Sequence, residues 1–344
     1  YQSSTASVTK PSSVARQGTM AGTQVRVRVP RGPSRAGENR RLPAASSALG
    51  QRAGGIGRAG CFFGALIDVM LRPAMPVDPR PLAGQIALVT GASRGIGAAI
   101  AARLHAAGAE LVLAARSRAA LEGLAAQYSA AGAPAHALEL DVGEPASLAA
   151  AVAALPGRIA ARPVSILVNN AGIALSAPFE RSGSGPQGDL FERHMAVNFH
   201  GPRRLAAALL PGLLAARGAL VNVASSAGLE GYAYVSAYCA SKHALVGWTR
   251  ALAAELGPKG LRIGAVCPHY VESPLLEASI ANVRAKTGQS EAEARAFFAR
   301  QNPGQRLLTP AEVAEAVFDL CVSGRGGRIL ELDGARRIER GASP

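Results

Sequence analysis

Aromatic side chains are scarce in this chain, with 8 Phe, 6 Tyr and 1 Trp among 344 residues. A surface that stacks nucleic-acid bases between its cations would need more of them. Cysteine is equally sparse. The four present, Cys61, Cys239, Cys267 and Cys321, form no CxxC pair and no even ladder, which excludes a zinc knuckle and a disulfide scaffold. That usage fits a reduced, cytoplasmic setting. No uninterrupted apolar run approaches the roughly 18 residues that a membrane helix needs. What the chain has in quantity is apolar residues, 49 % of the total, enough for a sizeable core and too many for global disorder.

The formal net charge of +14 points first to an acidic partner. Its distribution confines that reading to the first quarter of the chain. Residues 1–75 hold one Lys and ten Arg against Glu38 and Asp68, leaving a mildly basic body of +5. This first quarter is rich in Ser, Gly, Pro and Arg and has no sustained period of 2 or 3.6. We expect residues 1–80 to form a disordered basic extension, since they bury too little apolar surface to offset the entropy of ordering. A transit peptide, a nucleic-acid-binding arm and an upstream, non-native segment all fit its composition. The last is favoured, with the natural start at Met70 or Met75. The excess of 33 Arg over 4 Lys suits a GC-rich coding sequence that reads through as Arg, Gly, Ala and Pro.

From Gly84 the pattern becomes regular. Apolar runs at 85–90, 110–115, 135–140, 164–169, 219–224, 261–266 and 328–332 read as buried strands. Between them lie Ala- and Leu-rich helical stretches at 95–107, 117–131, 145–161, 188–216, 236–257 and 310–323. Asp141, Glu144 and Pro145, and further on Thr309 and Pro310, are helix starts. Alternating strands and helices predict one doubly wound α/β domain over 81–338, a Rossmann-type fold with a seven-stranded parallel sheet. Ligands of such sheets sit outside the carboxyl ends of the strands, where the strand order reverses.

The informative residues fall in those loops. The first strand runs into Thr90, Gly91, Ala92, Ser93, Arg94, Gly95, Ile96 and Gly97 and then a helix. Glycines there let the backbone approach a pyrophosphate at a helix N-terminus. The second strand ends on neutral Ala115, where an NAD-selective fold carries an acid, and Arg116 follows it. Arg94 and Arg116 together suit a 2′-phosphate, which favours NADP(H) and leaves NAD(H) as the alternative. Asn169, Asn170, Ala171 and Gly172 follow the fourth strand, and with seven Asn in the chain that run would arise in well under about one chain in a hundred. Tyr238 and Lys242 stand four apart on one helix face, with Ser225 thirteen residues earlier and Asn198 on the preceding long helix.

With these motifs in this order, the sequence resembles the short-chain dehydrogenase/reductase family, in its TGxxxGxG, NNAG and YxxxK subgroup, from about Gly84 to Gly334. The resemblance implies a catalytic tetrad of Asn198, Ser225, Tyr238 and Lys242, with Asn198 distorting the backbone to hold a relay water. It implies cofactor contacts from Gly91, Ser93, Arg94, Gly95, Ile96, Gly97, Arg116, Asp141, Val142, Asn170, Ala171, Gly172, Tyr238 and Lys242. Pro268, Val271 and Ser273 would line the nicotinamide, although His269 stands where the family has Gly and Ser273 where it has Thr. A dimer or tetramer through the helices at 188–216 and 236–257 is also implied by the resemblance.

The chemistry of the tetrad can be argued from its residues. Hydride transfer to a ketone leaves an alkoxide that needs a proton. A free phenol, with a pKa of about 10, holds its proton too tightly to move it both ways near neutrality. The ammonium of Lys242 should lower the pKa of Tyr238, and Ser225 should donate to the developing oxyanion. Cys239, Cys267 and His269 lie nearby but lack a second ligand pair, so they read as wall residues, not as a metal site.

The resemblance also implies a substrate lid over about 270–305. Its Leu275, Leu276, Ile280, Phe297 and Phe298 suit an apolar body, while Arg284, Lys286 and Arg300 could meet an anion. The layout also resembles D-3-hydroxybutyrate dehydrogenases, but Ala174, Ala227 and Val235 are apolar where that subgroup holds a carboxylate. The expectation is therefore a small-molecule ketone, of the 3-oxoacyl thioester type or similarly apolar, with neither nucleic acid nor membrane as partner. A hydroxy-acid dehydrogenase and a silent NADP(H)-sensing module are the alternatives.

Overall fold

Strand β1 (Ile86–Thr90) is buried along its whole length, yet its side chains alternate between two separate cores. Ala87 and Val89 pack with Ile100, Leu104, Leu121 and Val313, whereas Ile86 and Leu88 pack with Leu148, Leu155, Leu205 and Leu256. The period of two along a strand produces this division, and it needs a helical layer on each face. Replacing a fully buried leucine such as Leu104 by alanine would cost about 2–5 kcal/mol.

The structure is a computed structural model that describes residues 80–184 and 188–341. The expectations for the basic extension, including Cys61 and a start at Met70 or Met75, lie outside the described residues. After β1 come α1 (Gly95–Ala106), β2 (Glu110–Ala115), α2 (Arg118–Ala130), β3 (Ala135–Glu139), α3 (Pro145–Arg158) and β4 (Ile166–Asn169). The second half holds α4 (Leu190–Met195), α5 (Gly201–Ala215), β5 (Ala219–Val223), α6 (Ser236–Leu256) and β6 (Arg262–Pro268). It continues with α7 (Pro274–Thr287), α8 (Glu291–Gln301), α9 (Pro310–Val322), β7 (Ile329–Leu332) and β8 (Arg337–Glu339). Helices α1, α2 and α9 cover one face, and α3, α5 and α6 the other. Among the described residues, no helix is long and apolar enough to cross a membrane.

The strand order is β3-β2-β1-β4-β5-β6-β7-β8, so the direction of winding reverses between β1 and β4. Seven strands are parallel, as expected. The eighth, β8, is a correction: it pairs antiparallel with β7 through Leu330↔Glu339 and Leu332↔Arg337. Its sequence Arg-Ile-Glu has one apolar residue and no run to betray a strand. Polar contacts hold it instead, with Arg328 Nε on Glu339 Oε2 at 3.1 Å and Arg340 Nε on Glu331 Oε2 at 2.5 Å.

Two helical expectations also change. The single helix at 188–216 is interrupted by a π-helical turn over Ala196–His200, and Asn198 lies within that turn. The segment expected as a lid is two helices. Gly288, at φ +72°, ends α7, and a capping box between Ser290 and Glu293 starts α8. Leu276, Ile280, Ala294 and Phe298 form the lid's own small core against Tyr270 and Leu307. Asn302 closes its base, accepting from Tyr270 N and donating to Tyr270 O, each at 2.9 Å.

Candidate active site

The loop after β1 is shaped by Gly91 and Gly97. Gly91 has φ +68°, and a Cβ there would lie 2.9 Å from Asn170 Nδ2. A Cβ on Gly97 would overlap the carbonyl oxygen of Gly91, so only glycine lets α1 start this close to β1. Arg94, the N-cap residue, offers no side-chain cap, which leaves the first-turn N–H groups of α1 for an anion. Arg94 and Arg116 are both exposed beside this cradle's elements. These features fit the pyrophosphate and phosphate of a dinucleotide.

The loop after β4 is clipped onto the first. Thr90 Oγ1 accepts from both Asn170 N and Ala171 N at 3.0 Å, and Asn170 Nδ2 donates to Thr90 O at 2.9 Å. Thr90 was not among the expected site residues, although it opens the glycine motif. Asp141 is turned to local work: its Oδ1 accepts from Gly143 N at 2.9 Å, beside buried Val142. Ser273 caps α7 and donates to Val271 O at 3.1 Å. Its neighbour Pro274 approaches Gly95, where an added Cβ would meet Pro274 Cδ at 2.9 Å. The segment expected as a lid thus begins against the glycine loop.

The four residues of the expected tetrad come together on α6 and its neighbours. Buried Asn169, Asn222 and Thr249 form a hydrogen-bonded row, Asn169 Nδ2 to Asn222 Oδ1 at 2.9 Å and Asn222 Nδ2 to Thr249 Oγ1 at 2.8 Å, which ties α6 to β4 and β5. Lys242 is buried and donates from Nζ to Val223 O at 2.9 Å. Its Nζ lies 5.8 Å from the centre of the Tyr238 ring. Asn198 accepts at Oδ1 from Ile173 N at 2.9 Å and donates from Nδ2 to Ser241 Oγ at 3.0 Å. Ser241 Oγ donates in turn to Tyr238 O at 2.7 Å. A Cβ at Gly172 would stand 3.2 Å from Asn198 Oδ1 and 3.7 Å from Lys242 Nζ, so the NNAG loop meets the tetrad there.

The electrostatics differ from the expectation. Burial pushes the Tyr238 phenol up to about 12, and its hydrogen bond with Ser225 only partly offsets this. Burial lowers Lys242 to about 8. The ammonium therefore does not acidify the phenol here. Desolvation by burial dominates both groups, and Lys242 directs its Nζ to Val223 O.

Of the residues read as walls, Cys239 and Cys267 are buried free thiols, and burial pushes Cys267 up to about 12. His269 meets Glu331 Oε1 from Nε2 at 3.0 Å. Among the described residues, no cluster of three His, Cys, Asp or Glu could hold a metal ion. On the lid, Leu275 and Phe297 are exposed, and Arg284 is paired with Glu291 at 3.5 Å. Besides Thr90, sequence reasoning missed a residue beside Tyr238. His194 is fully buried, with its ring 6.0 Å from that of Tyr238. The spacing of four from Asn198 was the only signal of it.

The chain is similar to known proteins of one family. The model of the short chain dehydrogenase family matches residues 85–284. The 3-oxoacyl-(acyl-carrier-protein) reductase of Vibrio cholerae is 33 % identical over 237 residues, covering 69 % of this chain and 89 % of the relative. A crystal structure of an actinorhodin polyketide ketoreductase variant with NADPH superposes with a TM-score of 0.66 and 32 % identity, over 73 % of this chain and 96 % of that one. L-sorbose reductase from Gluconobacter frateurii, solved with NADPH and L-sorbose, gives a TM-score of 0.68 and 25 % identity over 75 % and 98 % of the two chains. A phosphate-ready glycine cradle joined to a tyrosine–lysine helix, carried by a sequence that matches across most of its body, makes this chain an oxidoreductase of the short-chain dehydrogenase family.

Proposed function

We propose that this enzyme interconverts an apolar ketone, of the 3-oxoacyl thioester type, and its secondary alcohol, using NADP(H), with Tyr238 as the proton donor. The observation that carries the reading is the half-buried Tyr238 one helical turn from Lys242, whose Nζ lies 5.8 Å from the centre of the Tyr238 ring.

The glycine loop from Gly91 to Gly97 would hold the pyrophosphate and Arg94 with Arg116 the 2′-phosphate. Asp141 and Val142 would flank the adenine. Asn170, Ala171, Gly172, Pro268, Val271 and Ser273 would line the nicotinamide end, and Lys242 would reach its ribose. When bound, the reduced cofactor supplies a hydride to the carbonyl carbon. The rest belongs to the chain. Tyr238, held protonated at neutral pH by its burial, gives its proton to the alkoxide oxygen, a far stronger base than a phenolate. Ser225 donates to the same oxygen as charge develops. Lys242 then offers an ammonium close to the new phenolate. The related solved ketoreductase and sorbose reductase both contain NADPH, which supports the choice of cofactor.

The segment 270–305 and the loops beneath it support the choice of substrate class. Leu275 and Phe297 expose apolar surface there, and Arg284 is engaged by Glu291 and so is poorly placed to hold a carboxylate. The test is loss of reduced-nicotinamide absorbance with NADPH and four probes: an acetoacetyl thioester, a cyclic ketone, a ketose and free acetoacetate. Turnover of the first two well above the last is expected. Turnover of free acetoacetate alone would overturn the substrate reading, and tight NADPH binding with no turnover of any carbonyl would overturn the enzymatic one.

A further inference from the structure

We infer that His194 is a positioning residue that holds the cofactor loop and Tyr238 in one geometry, through a proton fixed on Nδ1. The inference rests on the reading of Tyr238 as the proton donor.

His194 lies on the last turn of α4, which Asp189 caps by accepting from Phe191 N at 2.7 Å and Glu192 N at 3.2 Å. Its two ring nitrogens have opposite tasks. Nδ1 faces Leu190 O at 2.6 Å, an atom that can only accept, so Nδ1 carries the hydrogen. Nε2 then presents a lone pair, and Leu175 N donates to it at 3.0 Å. Each partner demands the same neutral tautomer. The surroundings agree: burial lowers the pKa of His194 more than the bond to Leu190 O raises it, and the charges of Arg193 and Lys242 lower it further.

The position of the ring gives these bonds a consequence. Leu175 lies three residues past Gly172, on the loop that would carry the nicotinamide end of the cofactor. Asn198, one turn beyond His194, grips the same loop at Ile173 N and Ile173 O, at 2.9 and 3.0 Å. Asn198 and His194 thus pin three successive peptide units of one loop, between residues 172 and 175. The imidazole also stands edge-to-face against Tyr238, with ring centroids 6.0 Å apart and planes at 68°. One side chain therefore joins the proton donor to the loop on which the hydride donor would rest. Neither ring nitrogen is free to touch substrate, so His194 acts through geometry alone.

Two substitutions separate its two hydrogen bonds. In His194→Gln the side-chain oxygen reaches the place of Nε2 and can accept from Leu175 N. In His194→Asn the amide reaches only the place of Nδ1 and leaves Leu175 N unpaired. Both are made in the full chain and compared with Tyr238→Phe, using NADPH, an acetoacetyl thioester and NADPH fluorescence for affinity. The expected result is a kcat lower by about tenfold to a hundredfold in His194→Asn, the cost of one unpaired buried donor. NADPH affinity and KM should stay within about threefold of the wild type, and His194→Gln should regain most of the lost kcat. Equal loss in both variants, full kcat in both, or a loss confined to KM would each overturn the inference. Thermal unfolding of both variants separates a change of site geometry from collapse: unfolding of His194→Asn at the assay temperature, with His194→Gln folded but no more active than its partner, also counts against it. Full turnover in Tyr238→Phe would remove the proton donor itself and the inference with it, a result distinct from failure of the histidine pair alone.

Discussion

Lys242 Nζ and the Tyr238 ring centre are 5.8 Å apart, yet the hydrogen bond of the ammonium goes to Val223 O. Proximity on one helix face thus brings the two groups together without pairing them. Each bears its own desolvation, the phenol rising to about 12 and the amine falling to about 8. A buried cation without an anionic partner costs stability, and pH reveals how much.

Lys242→Met should therefore separate function from stability. Between about 8, where folded Lys242 titrates, and its ordinary 10.5, the unfolded chain binds the extra proton. Wild-type stability must rise with pH across that window. The methionine variant should lack that rise while losing turnover. Urea unfolding at pH 7, 8.5 and 10 checks it. Parallel pH dependences in the two proteins would show that the amine is not buried with its charge.

Arg116→Asp should move cofactor preference toward NADH. Arg116 is exposed at the end of β2, whereas Arg118, two residues on, is tied to Glu122 at 2.7 Å. One charge-assisted bidentate contact is worth about 1.5–3 kcal/mol, so the ratio of kcat/KM for NADPH over NADH should fall by about tenfold to a hundredfold. An unchanged ratio would leave Arg94 to read the 2′-phosphate alone.

Gly97→Ala should weaken NADPH binding by more than about tenfold and cost about 1–3 kcal/mol of stability, because its Cβ overlaps the Gly91 carbonyl. Gly123→Ala serves as the comparison. Nothing lies within 4 Å of a Cβ there, in the middle of α2, and the change should stabilise by about 0.5–1 kcal/mol. Fluorescence titration with NADPH and urea unfolding read both effects. Equal behaviour of the two variants would contradict the close approach.

The parts of the fold and site legible in the sequence were those set by short, contiguous patterns. The strand runs stood out because both faces of the sheet are buried, and the glycine loop, the NNAG run and the Tyr–Lys pair because each acts within a few residues of chain. What escaped is fixed by distant partners. The π-helical turn at Ala196–His200 has the apolar spacing of an ordinary helix, and Asn198 at its centre bonds to Ile173 and Ser241, 25 and 43 residues away. Strand β8 is held by ion pairs to Glu331 and Asp319, which no period reveals. His194 lies in a stretch, Phe191 to Phe199, with no motif of its own. The break in the lid is different. Gly288 followed by Ser290 and Glu293 is a readable stop and start, masked by the alanine-rich helices on either side.

The central claim is that the Tyr238 hydroxyl supplies the proton. Stopped-flow oxidation of NADPH by Tyr238→Phe with an acetoacetyl thioester tests it most directly, alongside fluorescence titration of NADPH. The variant should lose turnover by about a thousandfold or more while its NADPH affinity stays within about twofold. A rate within a few-fold of the wild type would contradict the account.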